Sequence, residues 1–228
     1  MTTRVFTTAP KHALETYVPR WLESRKNWPK DTDFRFYTEG YMVDCPGKDV
    51  SEIPHLPEFK ARFAGFKPKD YRTDVVRFSN IAFAGYDALY DHDGVGARLD
   101  ADCVTYKPLP VGIVEKQVED AYVACYQRTN MYTETGFYVV NCAHPRHRDF
   151  WDALRDWYLS GEFVHSPQWH DCIAFDHAIK KTCVKVKNLS GKHADKMHPQ
   201  AMSELGKYMD HQKGPRKAME KSPENHFR

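Results

Sequence analysis

The sequence lacks a long apolar run. None of its 228 residues lies in a stretch approaching the roughly 20 consecutive apolar residues that a membrane span requires. The first ten residues also lack the apolar region of a secretory signal peptide. We therefore expect a protein that does not enter a membrane and that works in the cytoplasm.

Cysteines are few and scattered. The six cysteines include no C-x-x-C pair, which argues against a zinc ribbon, and their spacing does not suggest a disulfide framework. Internal repeats and low-complexity tracts are absent as well. What the chain does contain is 41% hydrophobic and 14% aromatic residues, enough for one substantial core.

Charge is small in total but unevenly distributed. The formal net charge is +2, yet residues 177–228 carry +7 and the rest of the chain carries −5. A basic segment of this kind can hold an anionic ligand such as a diphosphate, or it can lie along a nucleic acid. A merely solvated tail is the alternative at this point.

Strand and helix patterns alternate along the chain, which predicts an α/β sheet. Strands are predicted at 4–8, 33–37 and 183–186, a loop followed by a strand at 132–141, and helices at 11–25, 74–90, 145–160 and 170–181. Residues 43–69 are rich in proline and charge, so we expect an irregular insertion with one short helix near 57–63. Residues 111–124 are interpreted as a helix followed by a strand.

The segment from Gly94 to Pro110 is the centre of the functional prediction. Its short apolar run predicts a buried strand, and strand alternation would direct Asp100 and Asp102 to one face. Two adjacent carboxylates repel unless a cation lies between them, and carboxylate oxygens suit Mg²⁺ and Mn²⁺. Alone, this pattern is also typical of a solvated turn.

Two further patterns favour a ligand site. Asp171 opens a predicted helix, where an acid can be a simple cap, but ligand sites of α/β sheets also gather where helices begin. Later in the chain, His211, Gly214 and Lys217 follow one another at three-residue spacing. The imidazole can bind a metal, the glycine allows its backbone to lie close to a phosphate, and the lysine ammonium adds a positive charge there.

Together these motifs resemble those of GT-A glycosyltransferases, nearest in pattern to family 8. Asp100-Ala101-Asp102 matches the family's Asp-x-Asp after a strand, and His211, Gly214 and Lys217 match its C-terminal His-x-x-Gly-x-x-Lys. The resemblance implies an α/β fold: a single Rossmann-like, three-layer α/β/α GT-A domain with a mixed central sheet at 1–217, followed by a basic polar tail at 218–228. One departure is Ala218-Met219, where the family usually has Pro-Trp.

The resemblance also implies a set of ligands and roles. Asp100, Asp102 and His211 would bind Mn²⁺ or Mg²⁺, and the donor would be a nucleotide-sugar, with UDP-sugars favoured. Other donor contacts are carried over by position: Thr7 and Thr8 near the nucleotide base, Arg77 near the nucleotide or its phosphates, Gly136 in a sugar-facing loop at 134–137, and Gly214 and Lys217 at the phosphates. Asp171 would hold sugar hydroxyls, and Glu134 or Asp171 would be the base of an inverting reaction, although the resemblance favours retention.

The acceptor and two rival functions stay open at this point. A hydroxylated DNA base, of the kind that bacteriophages glycosylate, would suit the basic end of the chain, and glycan, protein or small-molecule acceptors are the alternatives. A metal-dependent nucleotidyltransferase would also place two aspartates on a strand. A non-catalytic nucleic-acid-binding protein would use the basic segment and would not need Asp100 or Asp102.

Overall fold

The computed structural model describes residues 2–190 and 198–212. The predicted phosphate contacts Gly214 and Lys217 and the predicted tail at 218–228 lie outside the described residues. The strands are β1 Thr3–Ala9, β2 Asp33–Thr38, β3 Gly47–Asp49, β4 Val95–Leu99, β5 Cys103–Thr105, β6 Val123–Arg128, β7 Met131–Asn141, β8 Val186–Asn188 and β9 Met209–His211. The α-helices are α1 Val18–Ser24, α2 Leu56–Phe63, α3 Val75–Leu89, α4 His147–Leu159 and α5 Asp171–Thr182.

Seven strands form one mixed sheet in the order β3-β2-β1-β4-β7-β6-β8. All neighbours pair in parallel except β7, which runs antiparallel to both β4 and β6. The chain moves outward from β1 to β3 and then returns to β4 on the other side of β1. The carboxyl ends of β1 and β4 therefore flank a point where strand order reverses, which is where open α/β sheets bind ligands.

Alternation along the strands divides the core between the two faces of the sheet. Phe6 packs with residues of α2 to α5 on one face, whereas Val5 packs with α1 and the short 3₁₀ helix Glu115–Val118 on the other. The same alternation recurs in β7, where Tyr138 faces the first cluster and Phe137 the second. The predicted single α/β domain with three layers and a mixed sheet is confirmed.

Several predicted elements are confirmed with small shifts at their ends. Helix α3 covers nearly all of the predicted 74–90, and it begins after Asp74, whose carboxylate accepts the backbone N–H of Arg77 at 3.1 Å. Helices α4 and α5 and the short helix in the insertion are also present. No helix among the described residues is long and apolar enough to cross a membrane.

Three predicted elements are wrong in detail. The helix expected over 11–25 is a 3₁₀ turn followed by the shorter α1, because Pro19 lacks the N–H that a continuous helix would require and sits in the first turn instead. The loop expected at 134–137 is part of the long β7, which pairs with β6 across register shifts. The strand expected at 183–186 is β8, which begins only at Val186, since Cys183 adopts a left-handed conformation that ends α5.

Candidate active site

A cleft of about 500 Å³ opens where β1 and β4 end. Thr8 near the end of β1, Asp100 directly after β4 and Asp171 at the start of α5 all line it. Three segments far apart in the chain thus meet at the reversal of strand order. The cleft lining includes both Asp100 and a group of exposed side chains from other segments.

The two aspartates converge through a turn. β4 ends at Leu99, and the backbone N–H of Cys103 donates to the carbonyl of Asp100 at 2.8 Å, which closes a tight turn over the Asp-Ala-Asp segment. The backbone N–H of Asp100 donates to the carbonyl of Gly136 on β7 at 2.8 Å. The predicted proximity is therefore found, but strand alternation, the reason given for it, is wrong.

His211 reaches the aspartates through a second, two-stranded sheet. β5 and β9 pair antiparallel with Cys103 opposite His211, and the N–H of Gln212 donates to the carbonyl of Asp102 at 2.9 Å. Nε2 of His211 lies 2.8 Å from Oδ1 of Asp102 and 3.8 Å from Oδ2 of Asp100. Two carboxylates and one imidazole therefore converge on one small region.

This set of side chains fits a divalent cation. Carboxylates suit Mg²⁺ and Mn²⁺, and the imidazole shifts the preference toward Mn²⁺ and later transition metals. Asp102, Cys103 and His211 also bring ligand atoms within 4.8 Å of one another, and so do Glu134, His198 and His211. The residues present would accept the metal that the family resemblance implies.

A buried arginine that the sequence analysis did not single out lies beneath this region. Arg98 of β4 has only 3% of its side chain exposed, and its Nη1 donates to Oδ2 of Asp171. Its Nη2 lies 3.5 Å from Oδ1 of Asp100. A basic residue inside an otherwise apolar strand, two positions before the first aspartate, was the available signal.

The two acids beside Arg98 have opposite electrostatic environments. Burial favours the neutral form of Asp171, but the Arg98 guanidinium and the Thr135 hydroxyl, 2.6 Å away, lower its pKa below the ordinary value. Asp100 keeps 31% of its side chain exposed, but the rest is removed from water. This loss of solvation and the neighbouring Asp102 carboxylate raise the pKa of Asp100, and Arg98 opposes the rise. A bound cation would relieve the repulsion at Asp100.

Glu134 and Gly136 lie on β7 beside His211. The Glu134 side chain is buried, and one of its oxygens lies 3.2 Å from Nη1 of Arg128. A Cβ on Gly136 would lie 2.1 Å from Cε1 of His211, so only glycine leaves room for the imidazole at this position. Both residues line the cleft, and their predicted roles toward the sugar are taken up below.

The remaining predicted donor contacts differ in placement. Thr8 and Arg77 line the cleft, Thr8 buried and Arg77 exposed. Thr7 is fully buried on the opposite face of β1 and does not line the cleft. The structure therefore brings Thr8, Arg77, Asp100, Glu134, Gly136 and Asp171 to one cavity. Asp102 and His211 do not line it, but Nε2 of His211 lies 3.8 Å from Asp100 and 2.8 Å from Asp102.

Part of the cleft lining is a mostly exposed lip that the sequence analysis did not identify. We define the lip as Tyr71 and Arg72 of a 3₁₀ turn together with Asn130, Met131 and Tyr132 at the β6-β7 hairpin. The guanidinium of Arg72 lies 5.4 Å from the centroid of the Tyr71 ring. Exposed aromatic and cationic side chains at a cleft suit a ligand with a planar or apolar face.

Comparison with known proteins identifies the fold. No protein-family model and no curated protein sequence matches the chain. Among solved structures, mouse xyloside xylosyltransferase 1 in its apo form is 11% identical with a TM-score of 0.53, over 89% of this chain and 93% of that one. The galactosyltransferase LgtC, in complex with donor and acceptor sugar analogues, is 14% identical with a TM-score of 0.54, over 93% of this chain and 87% of that one. The protein thus has the GT-A fold of these glycosyltransferases.

Proposed function

We propose that the protein is a metal-dependent glycosyltransferase that moves a sugar from a nucleotide-sugar to an acceptor hydroxyl. The observation that carries the proposal is the convergence of Asp102 and His211 on Asp100, which lines the cleft at the reversal of strand order. The GT-A fold supports it, because the solved proteins that share the fold are named as glycosyltransferases. Fold likeness alone does not indicate where a reaction would take place; the converging side chains support the proposed position.

In this proposal Asp100, Asp102 and His211 hold Mn²⁺ or Mg²⁺ against the donor diphosphate. A divalent cation there stabilises the negative charge that develops on the departing diphosphate. Thr8 and Arg77 face the nucleotide end of the donor, with a UDP-sugar favoured, and Lys217 adds a fixed positive charge at the phosphates. Gly214 is assigned to the same phosphates; both residues lie outside the described part of the chain.

Asp171 is assigned to the donor sugar. Its lowered pKa keeps it ionised at neutral pH, so it accepts hydrogen bonds from hydroxyl groups but is a weak base. Arg98 and Thr135 hold its carboxylate in one orientation. This environment favours a retaining reaction, in which the protein needs no strong base.

The acceptor is assigned to the lip. Tyr71, Tyr132 and Met131 offer planar and apolar surface, and Arg72 offers a positive charge. A hydroxylated base in DNA and a glycan both have a face that could stack there. The basic stretch at 177–228 suits an anionic acceptor and keeps DNA among the candidates.

The test is nucleoside diphosphate release from a panel of UDP- and GDP-sugars with Mn²⁺ or Mg²⁺. We expect metal-dependent release that falls by more than about 100-fold in Asp102→Ala, since even the loss of a hydrogen-bond partner of a metal ligand costs 10- to 100-fold. Asp91→Ala is the matched control, because Asp91 is exposed and pairs only with the exposed Arg148 among the described residues. If no donor turns over, while nucleic acid binds in a salt-dependent way to both native protein and Asp102→Ala, the protein is a binding module instead.

A further inference from the structure

His211 lies between two carboxylates, one at each ring nitrogen. Nε2 is 2.8 Å from Asp102, and Nδ1 is 3.7 Å from Oε1 of Glu134. Glu134 has only 3% of its side chain exposed and His211 only 1%. This pair is therefore shielded from water. A charge affects its neighbour more strongly in such a buried position than in water.

The imidazole of His211 is also confined by packing. The backbone at Gly136 approaches so closely that an added Cβ would overlap Cε1 and Nδ1 of the ring. The ring of His198 meets it edge to face, with centroids 5.0 Å apart and an interplanar angle of 75°. Rotation of the ring would have to displace one of these neighbours, so the side chain is held in one orientation.

Glu134 is itself held from two directions. Its Oε1 accepts the backbone N–H of Gly136 at 3.2 Å, and its Oε2 lies 3.2 Å from Nη1 of Arg128. Arg128 in turn donates from Nε to the carbonyl of Tyr132 at the lip, at 2.9 Å. A carboxylate held in this way is poorly placed to move toward an acceptor hydroxyl and take its proton.

We propose that Glu134 is a positioning residue for His211 and not a catalytic base. Its Oε1 faces Nδ1 of His211 at 3.7 Å, and with a metal bound beside Asp100 and Asp102 it would accept the proton on Nδ1 and leave the lone pair of Nε2 for the metal. Histidines that bind metals commonly donate their second N–H to such a partner, which fixes the tautomer and raises the basicity of the ligand. The inference rests on the proposed metal-dependent transfer.

The test measures Mn²⁺ binding without donor, from the electron paramagnetic resonance signal of free Mn²⁺. Glu134→Ala should weaken binding by about 10- to 100-fold. Glu134→Gln should retain most of it, because the amide oxygen still accepts the Nδ1 proton, and Glu119→Gln at an exposed site should change nothing. At saturating Mn²⁺, transfer by Glu134→Ala should approach the native rate.

Nitrogen NMR of the imidazoles adds a readout that does not depend on activity. With Mg²⁺ bound, the Nδ1–H nitrogen of His211 should show the shift of a hydrogen-bonded donor in the native protein, and Glu134→Ala should remove that shift. In the metal-free protein the 2.8 Å contact of Nε2 with Asp102 favours the Nε2–H tautomer instead. Urea unfolding establishes that both variants are folded, and Glu134→Gln is nearly isosteric with the native side chain.

Three results would overturn the inference, and they are distinguishable. Native Mn²⁺ affinity in Glu134→Ala, with transfer lost at saturating metal, would make Glu134 the base. A second equivalent of metal that disappears in both Glu134→Ala and His198→Ala would make Glu134 a ligand. If the native protein does not bind Mn²⁺, the metal dependence of the proposed function is wrong, and so is the inference about Glu134.

Discussion

The metal end and the lip are built in opposite ways. The metal end, defined as Asp100, Asp102 and His211, depends on strand pairings between segments more than 100 residues apart, and His211 is almost wholly buried. The lip consists of a local turn and a hairpin tip, and Tyr71 there is 63% exposed. Preorganised charge is needed where the reaction develops charge, whereas a surface that receives a partner can be less rigid.

This contrast also appears in the electrostatics of the two ends. Beside the metal end, the buried guanidinium of Arg98 pairs with Asp171 and lies near Asp100, so removal of Arg98 leaves a buried carboxylate without compensation. At the lip, Arg72 is exposed to solvent. Substitutions should therefore affect folding and metal binding at one end, and only acceptor binding at the other.

The largest expected effect is on stability, from Arg98→Met. This change leaves the buried Asp171 without its guanidinium, and breaking a buried pair from one side costs about 3–5 kcal/mol. Arg148→Met, which removes an exposed pair with Asp91, should cost no more than about 1 kcal/mol. Urea unfolding of both variants measures the difference, and equal losses would contradict the special position of Arg98.

Gly136→Ala should reduce metal binding without unfolding the sheet. The added methyl group would displace His211 from its position beside Asp102, so we expect Mn²⁺ affinity to fall by about 10- to 100-fold. Gly65→Ala is the control, since a Cβ at that position meets nothing within 4 Å. Unchanged Mn²⁺ binding in Gly136→Ala would separate His211 from the metal.

The same conservative change at two aspartates should have effects of opposite sign on the metal-free protein. The pKa of Asp100 is raised, so its ionised form destabilises the fold above the ordinary aspartate pKa near 3.9, and Asp100→Asn should be stabilising at pH 7. The pKa of Asp171 is lowered, so its ionised form stabilises the fold at pH 7 and that stability is lost as pH falls through the lowered value. Asp171→Asn should therefore be destabilising at pH 7.

The change in the free energy of unfolding caused by each variant should be smaller in acid. The carboxyl groups of the native protein are then protonated in both the folded and the unfolded state. Urea unfolding at pH 7 and at acid pH provides the comparison. Destabilisation by both variants at pH 7 would show that the crowding of carboxylates around Asp100 has been overestimated.

The smallest expected effect belongs to the lip. Tyr71→Ala should raise the KM for acceptor by about 2- to 10-fold, which corresponds to the 0.5–1.5 kcal/mol of an aromatic contact. Mn²⁺ affinity and hydrolysis of the donor should not change, and Tyr71→Phe should keep the native KM. A parallel loss of metal binding in Tyr71→Ala would show that the two ends of the cleft are coupled.

Sequence patterns predicted the architecture well and the local geometry less well. Helices α3, α4 and α5 were predictable because their apolar periodicity and end signals coincide. The strand character of 134–137 was not predictable, because it depends on pairing of β7 with both β4 and β6. The shortened first helix could have been predicted from Pro19, which the apolar periodicity outweighed.

Two things about this protein were determined by the sequence alone: a mixed α/β sheet, and two aspartates after a buried strand followed much later by a histidine. Tertiary structure decided which groups these residues face. The pairing of β5 with β9 places His211 against Asp102, the buried Arg98 holds Asp171, and Glu134 is turned toward His211. The physical reason is that periodicity reports which face of an element is buried, whereas the partners of a buried charge depend on contacts between residues distant in the chain.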